Sequence, residues 1–334
     1  MGRGCLEMGG VVRAGVIFPG QGSQGIGMGA DVAAGSAQAR GLLERAKGVL
    51  GYDLLALQVE GPEEKLRETQ YSQPSIFATN LALYAAVGDE LAPVVSAGHS
   101  FGEFCSLVIA GSLDFDEALR VVDERGKAMQ FAAELAHGGM SAILGLEAEA
   151  VRRIADETRA ATGLRVQLAN FNSPTQIVIS GDLRAVQAAG EAMLTGGAKR
   201  VVPLNVSGAW HSELMQPAIQ RFAAAVATAH FQVPCFDVIS NVDARPYRDV
   251  ATIKENLVQS IVHEVRWHDT AMKLLSYDLD LIVEFGASGV LGPLMKRIPI
   301  APRVLVVSDA SGVERLLGML RADGPPARAA GAGA

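Results

Sequence analysis

A serine that could act as a nucleophile lies at position 100, between two glycines in the pattern Gly98-x-Ser100-x-Gly102. The residues before it, 94–97, predict a buried strand, and the apolar residues after it recur at helical spacing. A strand, a tight turn and a helix in this order are typical of a nucleophile elbow. The turn exposes the hydroxyl and points the first amides of the helix at the group under attack. The same short pattern also occurs in ordinary loops, so the flanking elements carry this prediction.

A serine nucleophile needs a base, and the chain has six histidines from which to choose one. His211 follows a predicted strand in a loop bounded by small residues, where a side chain can be aimed into a cleft. His99 directly precedes the serine, but neighbouring side chains on a sharp turn point apart, so we expect it to pack against or orient the turn. His211 is therefore the best candidate for the base, although for an isolated histidine a role outside catalysis is favoured.

Two further segments each allow a structural and a functional interpretation. The loop 19–24, with sequence Pro-Gly-Gln-Gly-Ser-Gln, is either a flexible turn or a backbone that approaches a substrate. Arg125 lies within a long predicted helix, close to Asp123, Glu124 and Lys127. Taken alone, this surrounding favours a solvated ion pair on the helix surface.

Several motifs occur together along the chain and resemble those of one family, the malonyl-CoA:acyl carrier protein transacylases of fatty acid and polyketide synthesis. The resemblance covers residues 14–320, and further segments at 170–174, 176–181 and 240–242 also look like family segments. The four main motifs are Phe18-Pro19-Gly20-Gln21-Gly22-Ser23-Gln24, Gly98-His99-Ser100-Phe101-Gly102-Glu103, Arg125-Gly126 and Gly208-Ala209-Trp210-His211-Ser212.

The resemblance implies a role for individual residues. In such enzymes the serine, here Ser100, carries the acyl group, and the loop histidine, His211, activates it. The arginine, Arg125, pairs with the malonyl carboxylate. Backbone amides at the positions of Gln21 and Phe101 form the oxyanion hole.

The chain departs from the family pattern at several positions, among them Glu264 in place of a usual proline and the segment 284–289, and two of the departures concern site residues. The family orients its histidine with a main-chain carbonyl on a segment that opens with glutamine and closes with Val-Arg-Trp, as in residues 265–267 here. The place of the glutamine falls on Ser260, with Gln259 one residue earlier, and a carbonyl exists at either. We assign the role to Ser260. The segment 208–211 resembles the Gly-Ala-Phe-His motif of malonyl-type members, with Trp210 in the place of the phenylalanine. The larger indole is expected to line the acyl pocket.

The order of predicted elements indicates an α/β fold in which one unit is inserted into another. Residues 137–205 predict β-α-β-β-α-β, which is typical of a ferredoxin-like unit. We predict that it interrupts an α/β-hydrolase-like large domain made of residues 12–136 and 206–322. The ends, 1–11 and 323–334, are predicted to be flexible tails.

Local signals predict where several elements begin and end. Ser72-Gln73-Pro74 resembles a helix start, because proline is common in the first turn. Gly138-Gly139 predicts a break before the small unit, and residues 170–174 predict a loop between two strands. Gly286-Ala287-Ser288-Gly289 resembles a helix N-terminus.

Composition limits the partners and the compartment. The net charge of −7 on 334 residues argues against a general nucleic-acid binder. The three cysteines, Cys5, Cys105 and Cys235, are widely spaced, which predicts neither disulfides nor a metal site and fits a reducing compartment. No apolar run suits a signal peptide or a membrane span. We expect a cytoplasmic monomer without a cofactor, because coenzyme A thioester and phosphopantetheine are substrates.

The leading hypothesis is an acyltransferase that moves malonyl from coenzyme A to the phosphopantetheine thiol of an acyl carrier protein. It would pass through a malonyl-serine intermediate and serve fatty acid or polyketide synthesis. An acyl hydrolase that clears stalled carrier proteins is the alternative, against which Arg125 argues, since neutral acyl groups gain nothing from a buried cation. A carrier-docking module with a dead site is a third, against which the presence of Ser100 and His211 argues.

Overall fold

The computed structural model describes residues 12–323. The predicted tails 1–11 and 323–334 lie outside this range, except for residue 323, which ends the last helix. The strands in chain order are β1 (Ala14–Phe18), β2 (Pro93–Gly98), β3 (Gly138–Leu144), β4 (Val166–Ser173), β5 (Gln176–Asp182), β6 (Arg200–Pro203), β7 (Asp237–Ile239), β8 (Leu281–Phe285) and β9 (Arg303–Val307).

Helices connect most of these strands, and two short 3₁₀ turns lie at Gly88–Glu90 and Glu213–Ala218. The helices are α1 (Ala30–Gly35), α2 (Ala37–Leu50), α3 (Leu54–Glu60), α4 (Glu63–Arg67), α5 (Thr69–Val87), α6 (Gly102–Ile109), α7 (Phe115–Leu135), α8 (Ala148–Thr162), α9 (Leu183–Thr195), α10 (Ile219–Thr228), α11 (Val250–Gln259), α12 (Trp267–Leu275), α13 (Gly292–Met295) and α14 (Ala310–Asp323).

A parallel sheet in the order β7-β2-β1-β8-β9 organises the larger part of the molecule. Val16 and Phe18 of β1 pack into one hydrophobic cluster and Ile17 into another, so both faces of the sheet are covered. Phe18 pairs with Gly98 in β2, and Ala97 pairs with Ile239 in β7. The loops after β1, β2 and β7 therefore leave the same edge, where ligands of parallel sheets bind.

A separate antiparallel sheet has the order β4-β5-β3-β6. Helices α8 and α9 connect its strands in the predicted order β-α-β-β-α-β, and they share a hydrophobic cluster of their own with it. The prediction of an α/β fold is confirmed, with a parallel sheet and a separate antiparallel sheet.

The end of β4 hydrogen-bonds to the segment that precedes α12. Phe171 N donates to Val265 O over 2.9 Å, and Val265 N donates to Ala169 O over 2.8 Å. The small sheet is thereby anchored to the same edge of the large sheet from which the catalytic candidates project.

The helix start predicted at residues 72–74 is wrong, because α5 begins at Thr69 and contains Pro74 in its interior. The extra turn is stabilised by side-chain hydrogen bonds that join Thr69 to Gln21, Gln73 to Arg125, and Thr69 to Gln73. Long-range bonds of this kind cannot be recognised from the local sequence pattern, whereas a proline is a local signal that predicts a helix start.

Three further local predictions are also wrong. Gly138 and Gly139 lie inside β3, where a Cβ on Gly138 would lie 2.6 Å from the Cβ of Ala209, so this glycine serves close packing. The predicted loop at 170–174 largely continues β4. The segment 286–289 is not a helix start, since α13 begins at Gly292.

Candidate active site

Ser100 lies at the carboxyl end of β2, on a turn with unusual backbone geometry. Its φ of 55° is in the left-handed region, which residues with a side chain rarely occupy. A Cβ on Gly98 would lie 1.9 Å from the carbonyl carbon of Gly102, and a Cβ on Gly102 would lie 2.4 Å from Phe18 O. Both glycines are therefore required by close backbone contacts. The strand, turn and helix predicted for this motif are present.

His211 faces Ser100, and Ser260 faces His211 from the other side. His211 Nε2 lies 2.9 Å from Ser100 Oγ, and His211 Nδ1 lies 2.7 Å from Ser260 O. A carbonyl only accepts hydrogen bonds, so Nδ1 carries the proton and Nε2 is left to accept one from the serine. The arrangement can therefore take a proton from the Ser100 hydroxyl.

The environment of His211 keeps its imidazole neutral. Burial lowers its pKa to about 3, and the nearby positive charge of Arg125 contributes in the same direction. The hydrogen bond to Ser260 opposes this shift but does not reverse it. Because a base must be unprotonated before it acts, the shift favours the required state at neutral pH.

Arg125 is buried, with 1% of its surface exposed, so the interpretation as a solvated ion pair is wrong. Its Nη2 donates to Ser100 Oγ over 3.2 Å, and its Nη1 donates to Gln73 Oε1 over 2.8 Å. Within residues 12–323 no carboxylate forms an ion pair with it, and its Nε has no hydrogen-bond partner. Burial lowers its pKa to about 9, which leaves it charged at neutral pH.

The loop after β1 brings Gln21 to the same cleft as Ser100. A Cβ on Gly20 would lie 2.6 Å from His99 O, so this loop packs directly on the elbow. Among the hydrogen bonds of the described segment 12–323, none is donated by the backbone amide of Gln21 or of Phe101. Two backbone donors near the serine are thus available to another group.

The cleft has a volume of about 640 Å³ and runs between the two sheets. Trp210 lines it and is 4% exposed, and its indole ring lies over Gly208, where a Cβ would be 2.6 Å from the ring. Met129 and Met140 add apolar surface. The lining of the cleft is therefore mixed, with these apolar side chains beside many polar and charged ones, Arg125 among them.

His99, the alternative histidine, does not contact the hydroxyl of its neighbour. Its Nε2 lies 3.1 Å from Asn172 Oδ1, and its ring packs against Trp267 at 5.8 Å between centroids. Burial lowers its pKa to about 4. The prediction that it packs beside the turn agrees with these contacts.

Beneath the elbow lies a polar cluster for which sequence reasoning gave no role. Asn241 Oδ1 accepts from Ser100 N over 3.0 Å, and Asn241 Nδ2 donates to Gly98 O over 2.8 Å. The buried carboxyl of Glu103 contacts both Asn241 and Tyr247. Burial raises the pKa of Glu103. The cluster holds the amide of the strained serine, so that this amide points away from the cleft.

Comparison with known proteins identifies the family. The sequence matches the acyl transferase domain family over residues 16–294. The malonyl CoA-acyl carrier protein transacylase of Salmonella typhimurium is 40% identical over 285 residues, which cover 84% of this chain and 91% of that relative. This chain belongs to the malonyl CoA-acyl carrier protein transacylase family.

Solved structures of similar transacylases share its fold. A malonyl-transacylase in complex with a type II PKS acyl-carrier protein is 38% identical with a TM-score of 0.88, covering 92% of this chain and 99% of that chain. The transacylase of Coxiella burnetii is 35% identical with a TM-score of 0.88, covering 94% of this chain and 99% of that one. The family predicted from the motifs is thus confirmed.

Three residues of this transacylase site were missed by sequence reasoning: Thr69, Gln73 and Asn241. Thr69 and Gln73 are fully buried near the start of α5; the helix start predicted at residues 72–74 falls after Thr69 and gave Gln73 no role in the site. For Asn241 the available signal was the resemblance of segment 240–242 to the family. That resemblance did not indicate which groups Asn241 would hydrogen-bond. The described residues hold no cluster of metal-ligating side chains, and none of the helices in this range is long and apolar enough to cross a membrane.

Proposed function

We propose that this chain transfers malonyl from coenzyme A to the phosphopantetheine thiol of an acyl carrier protein through a malonyl-serine intermediate. One observation carries the choice of acyl group. Arg125 is a buried cation that forms no ion pair with a carboxylate among the described residues, and its Nη2 lies 3.2 Å from Ser100 Oγ. An unpaired buried charge is costly, so a ligand that brings a carboxylate to this place is favoured.

In the first half-reaction, His211 Nε2 takes the proton of Ser100 as Oγ attacks the thioester carbonyl. The tetrahedral intermediate then collapses, the carbon–sulfur bond breaks, and the coenzyme A thiolate leaves with the proton from His211. The carbonyl of Ser260 holds the ring in the required tautomer, which its 2.7 Å distance to Nδ1 supports.

The negative charge on the carbonyl oxygen is stabilised by the backbone amides of Gln21 and Phe101. The support is that Gln21 lines the same cleft as Ser100, that Phe101 follows Ser100 in the chain, and that neither backbone amide donates a hydrogen bond within residues 12–323. The hold of Asn241 on the amide of Ser100 fits this assignment, because that amide is committed elsewhere. Oriented donors of this kind commonly contribute about 10²–10³-fold in rate.

The malonyl carboxylate pairs with Arg125, since a planar guanidinium can bind a carboxylate through two parallel hydrogen bonds. Trp210 forms the wall of the acyl pocket and limits substituents next to the thioester carbonyl. The second half-reaction reverses the first, with the phosphopantetheine thiol as nucleophile. Coenzyme A thioester and phosphopantetheine are substrates in this scheme, which requires no cofactor.

The proposal includes the organisation predicted from sequence. The small unit at 137–205 interrupts a large unit at 12–136 and 206–322, supported by the strands of the antiparallel sheet, which all lie within 138–203. The elbow supports an α/β-hydrolase-like large unit. A monomeric state and a cytoplasmic location stay predictions.

Intact-mass spectrometry after mixing with malonyl-CoA tests the function. We expect a malonyl adduct on the wild type that disappears on addition of holo acyl carrier protein, and no adduct on the Ser100→Ala variant, which should keep its circular dichroism spectrum. Rapid release of free malonate without transfer would indicate a hydrolase. Absence of any adduct on the wild type would indicate a docking module.

A further inference from the structure

A chain of buried hydrogen bonds joins the loop of Gln21 to Arg125 through the first turn of α5. Thr69 Oγ1 donates to Gln21 Oε1 over 2.9 Å and accepts from Gln73 Nε2 over 2.9 Å. Gln73 Oε1 accepts from Arg125 Nη1 over 2.8 Å. Both α5 residues are 0% exposed, so water does not compete for these bonds.

The donor and acceptor groups of these residues determine the direction of every hydrogen bond in the series. Arginine has donors only, so Gln73 must turn its oxygen toward Arg125 and its amino group toward Thr69. The hydroxyl of Thr69 then accepts from Gln73 and has its own proton left for Gln21. Each bond therefore determines the orientation of the next, from the cation to the loop.

The same bonds determine which edge of Arg125 remains for a ligand. Nη1 is taken by Gln73, whereas Nη2 contacts only the hydroxyl of Ser100, and Nε has no partner within residues 12–323. The free edge is thus the one formed by Nε and Nη2. A carboxylate binds such an edge through two parallel bonds.

We propose that Thr69 and Gln73 are positioning residues that hold the Nε–Nη2 edge of Arg125 toward the acyl carboxylate and tie it to the loop of Gln21. The inference rests on the proposed malonyl transfer and deepens it. Its consequence is that preference for a carboxylated acyl group and the rate of acylation depend on one hydroxyl, which touches neither substrate nor serine.

The Thr69→Val variant tests this, because valine is close to threonine in shape and removes both hydrogen bonds at once. Thr79→Val is the matched control on the same helix. Thr79 is equally buried, and its Oγ1 accepts from Gln58 Nε2 over 2.9 Å, but it takes no part in the hydrogen bonds that join Gln21 to Arg125. The readouts are kcat/KM for acylation by malonyl-CoA and by acetyl-CoA, and the melting temperature.

We expect Thr69→Val to lower the malonyl-to-acetyl ratio of kcat/KM by about tenfold, the scale for disturbing a hydrogen-bonded charged group. Thr79→Val should melt lower as well but keep the ratio within about twofold. Thr69→Ser, which retains the hydroxyl, should recover the wild-type ratio. Equal ratios in the two valine variants, with a wild type that still transfers malonyl, would overturn the positioning role alone.

A second variant keeps the test decisive if Thr69→Val does not fold. Gln73→Glu places a carboxylate against Nη1 of Arg125, where it offsets the positive charge that attracts the acyl carboxylate, so malonyl use should fall while acetyl use is spared. An unchanged malonyl-to-acetyl ratio in this variant would overturn the inference. A wild type that forms no malonyl adduct would remove the proposed function and the positioning role together.

Discussion

At the scale of single residues, the pKa of His211 is low enough that its imidazole is already neutral before it acts as a base. Burial and Arg125 lower its pKa to about 3, so it is neutral far below the ordinary histidine range. We expect the rate of acylation by malonyl-CoA, followed by quenched intact-mass spectrometry, to stay level from pH 8 to pH 5.5. A histidine with an ordinary pKa of about 6.5 would instead lose about tenfold by pH 5.5.

One variant is the control for this pH measurement. His211→Ala should acylate about 10²–10⁴-fold more slowly at every pH, the usual range for loss of a general base. A tenfold acid limb in the wild type would show that the imidazole is solvated during acylation. Near wild-type rates in His211→Ala would assign the base elsewhere.

Arg125 decides between acyl groups by charge. Its removal leaves the malonyl carboxylate unpaired at a buried position, which costs several kcal/mol, whereas acetyl has no charge to leave unpaired. We therefore expect Arg125→Ala to lose about 10²-fold in kcat/KM for malonyl-CoA and to become relatively better with acetyl-CoA. Competition between the two thioesters, read on the carrier protein by mass spectrometry, measures this.

Arg125→Lys separates charge from shape in the same assay. An ammonium keeps the charge but cannot form the planar fork, so rescue should be partial. If the alanine variant kept the wild-type preference, the buried cation would have a structural role only.

At the scale of elements, the elbow between β2 and α6 depends on the absence of a side chain at Gly98. A Cβ there would lie within 2.2 Å of three backbone atoms of Gly102 and Glu103, so neither partner can yield without moving the turn. We expect Gly98→Ala to abolish acylation and to lower the free energy of unfolding by about 1–3 kcal/mol, the cost of overpacking. Urea denaturation and adduct formation measure the two effects.

Gly48→Ala is the matched control for this glycine. Gly48 lies on the exposed side of α2, and a Cβ there meets nothing within 4 Å. Alanine is a better helix former, so stability should rise by up to about 1 kcal/mol with unchanged acylation. An active Gly98→Ala variant would mean that the turn relaxes more easily than its contacts indicate.

At the scale of the whole molecule, the small sheet takes part in positioning His211. Gln167 on β4 donates from Nε2 to His211 O over 3.3 Å and to Val262 O over 3.1 Å, and its Oε1 accepts from Glu213 N over 3.1 Å. It thus connects the histidine loop with the segment that follows Ser260. We expect Gln167→Ala to slow acylation about fivefold, as for a lost neutral hydrogen bond, with little change in KM.

Gln176→Ala is the control that isolates this effect. Gln176 also lies on the small sheet, and its Oε1 accepts from Arg297 Nη1 over 3.0 Å on the exposed surface, away from the cleft. Stopped-flow or rapid-quench acylation of the two variants compares them. Equal rates would show that the small sheet contributes surface to the cleft without orienting its histidine.

The sequence by itself determined the features that depend on local chemistry. The spacing of glycines around Ser100 predicts the elbow because only a residue without a Cβ fits those contacts. Alternating and helical apolar patterns predict both sheets, and the joint motifs identify the family. Arg125 had its role from the resemblance alone, since its neighbours along the helix favoured an exposed ion pair.

The tertiary structure decided what depends on residues far apart in the chain. Burial of Arg125, the contact of Ser260 with His211, and the hydrogen bonds of Thr69 join segments that lie on different elements. The local pattern led to wrong predictions at Pro74 and Gly138 for the same reason. Long-range polar bonds and close packing outweighed the usual preference of proline for a helix start and of glycine for a break. Side chains of distant segments share one environment only after the sheets assemble, and that environment sets the charge and pKa values on which the proposed chemistry depends.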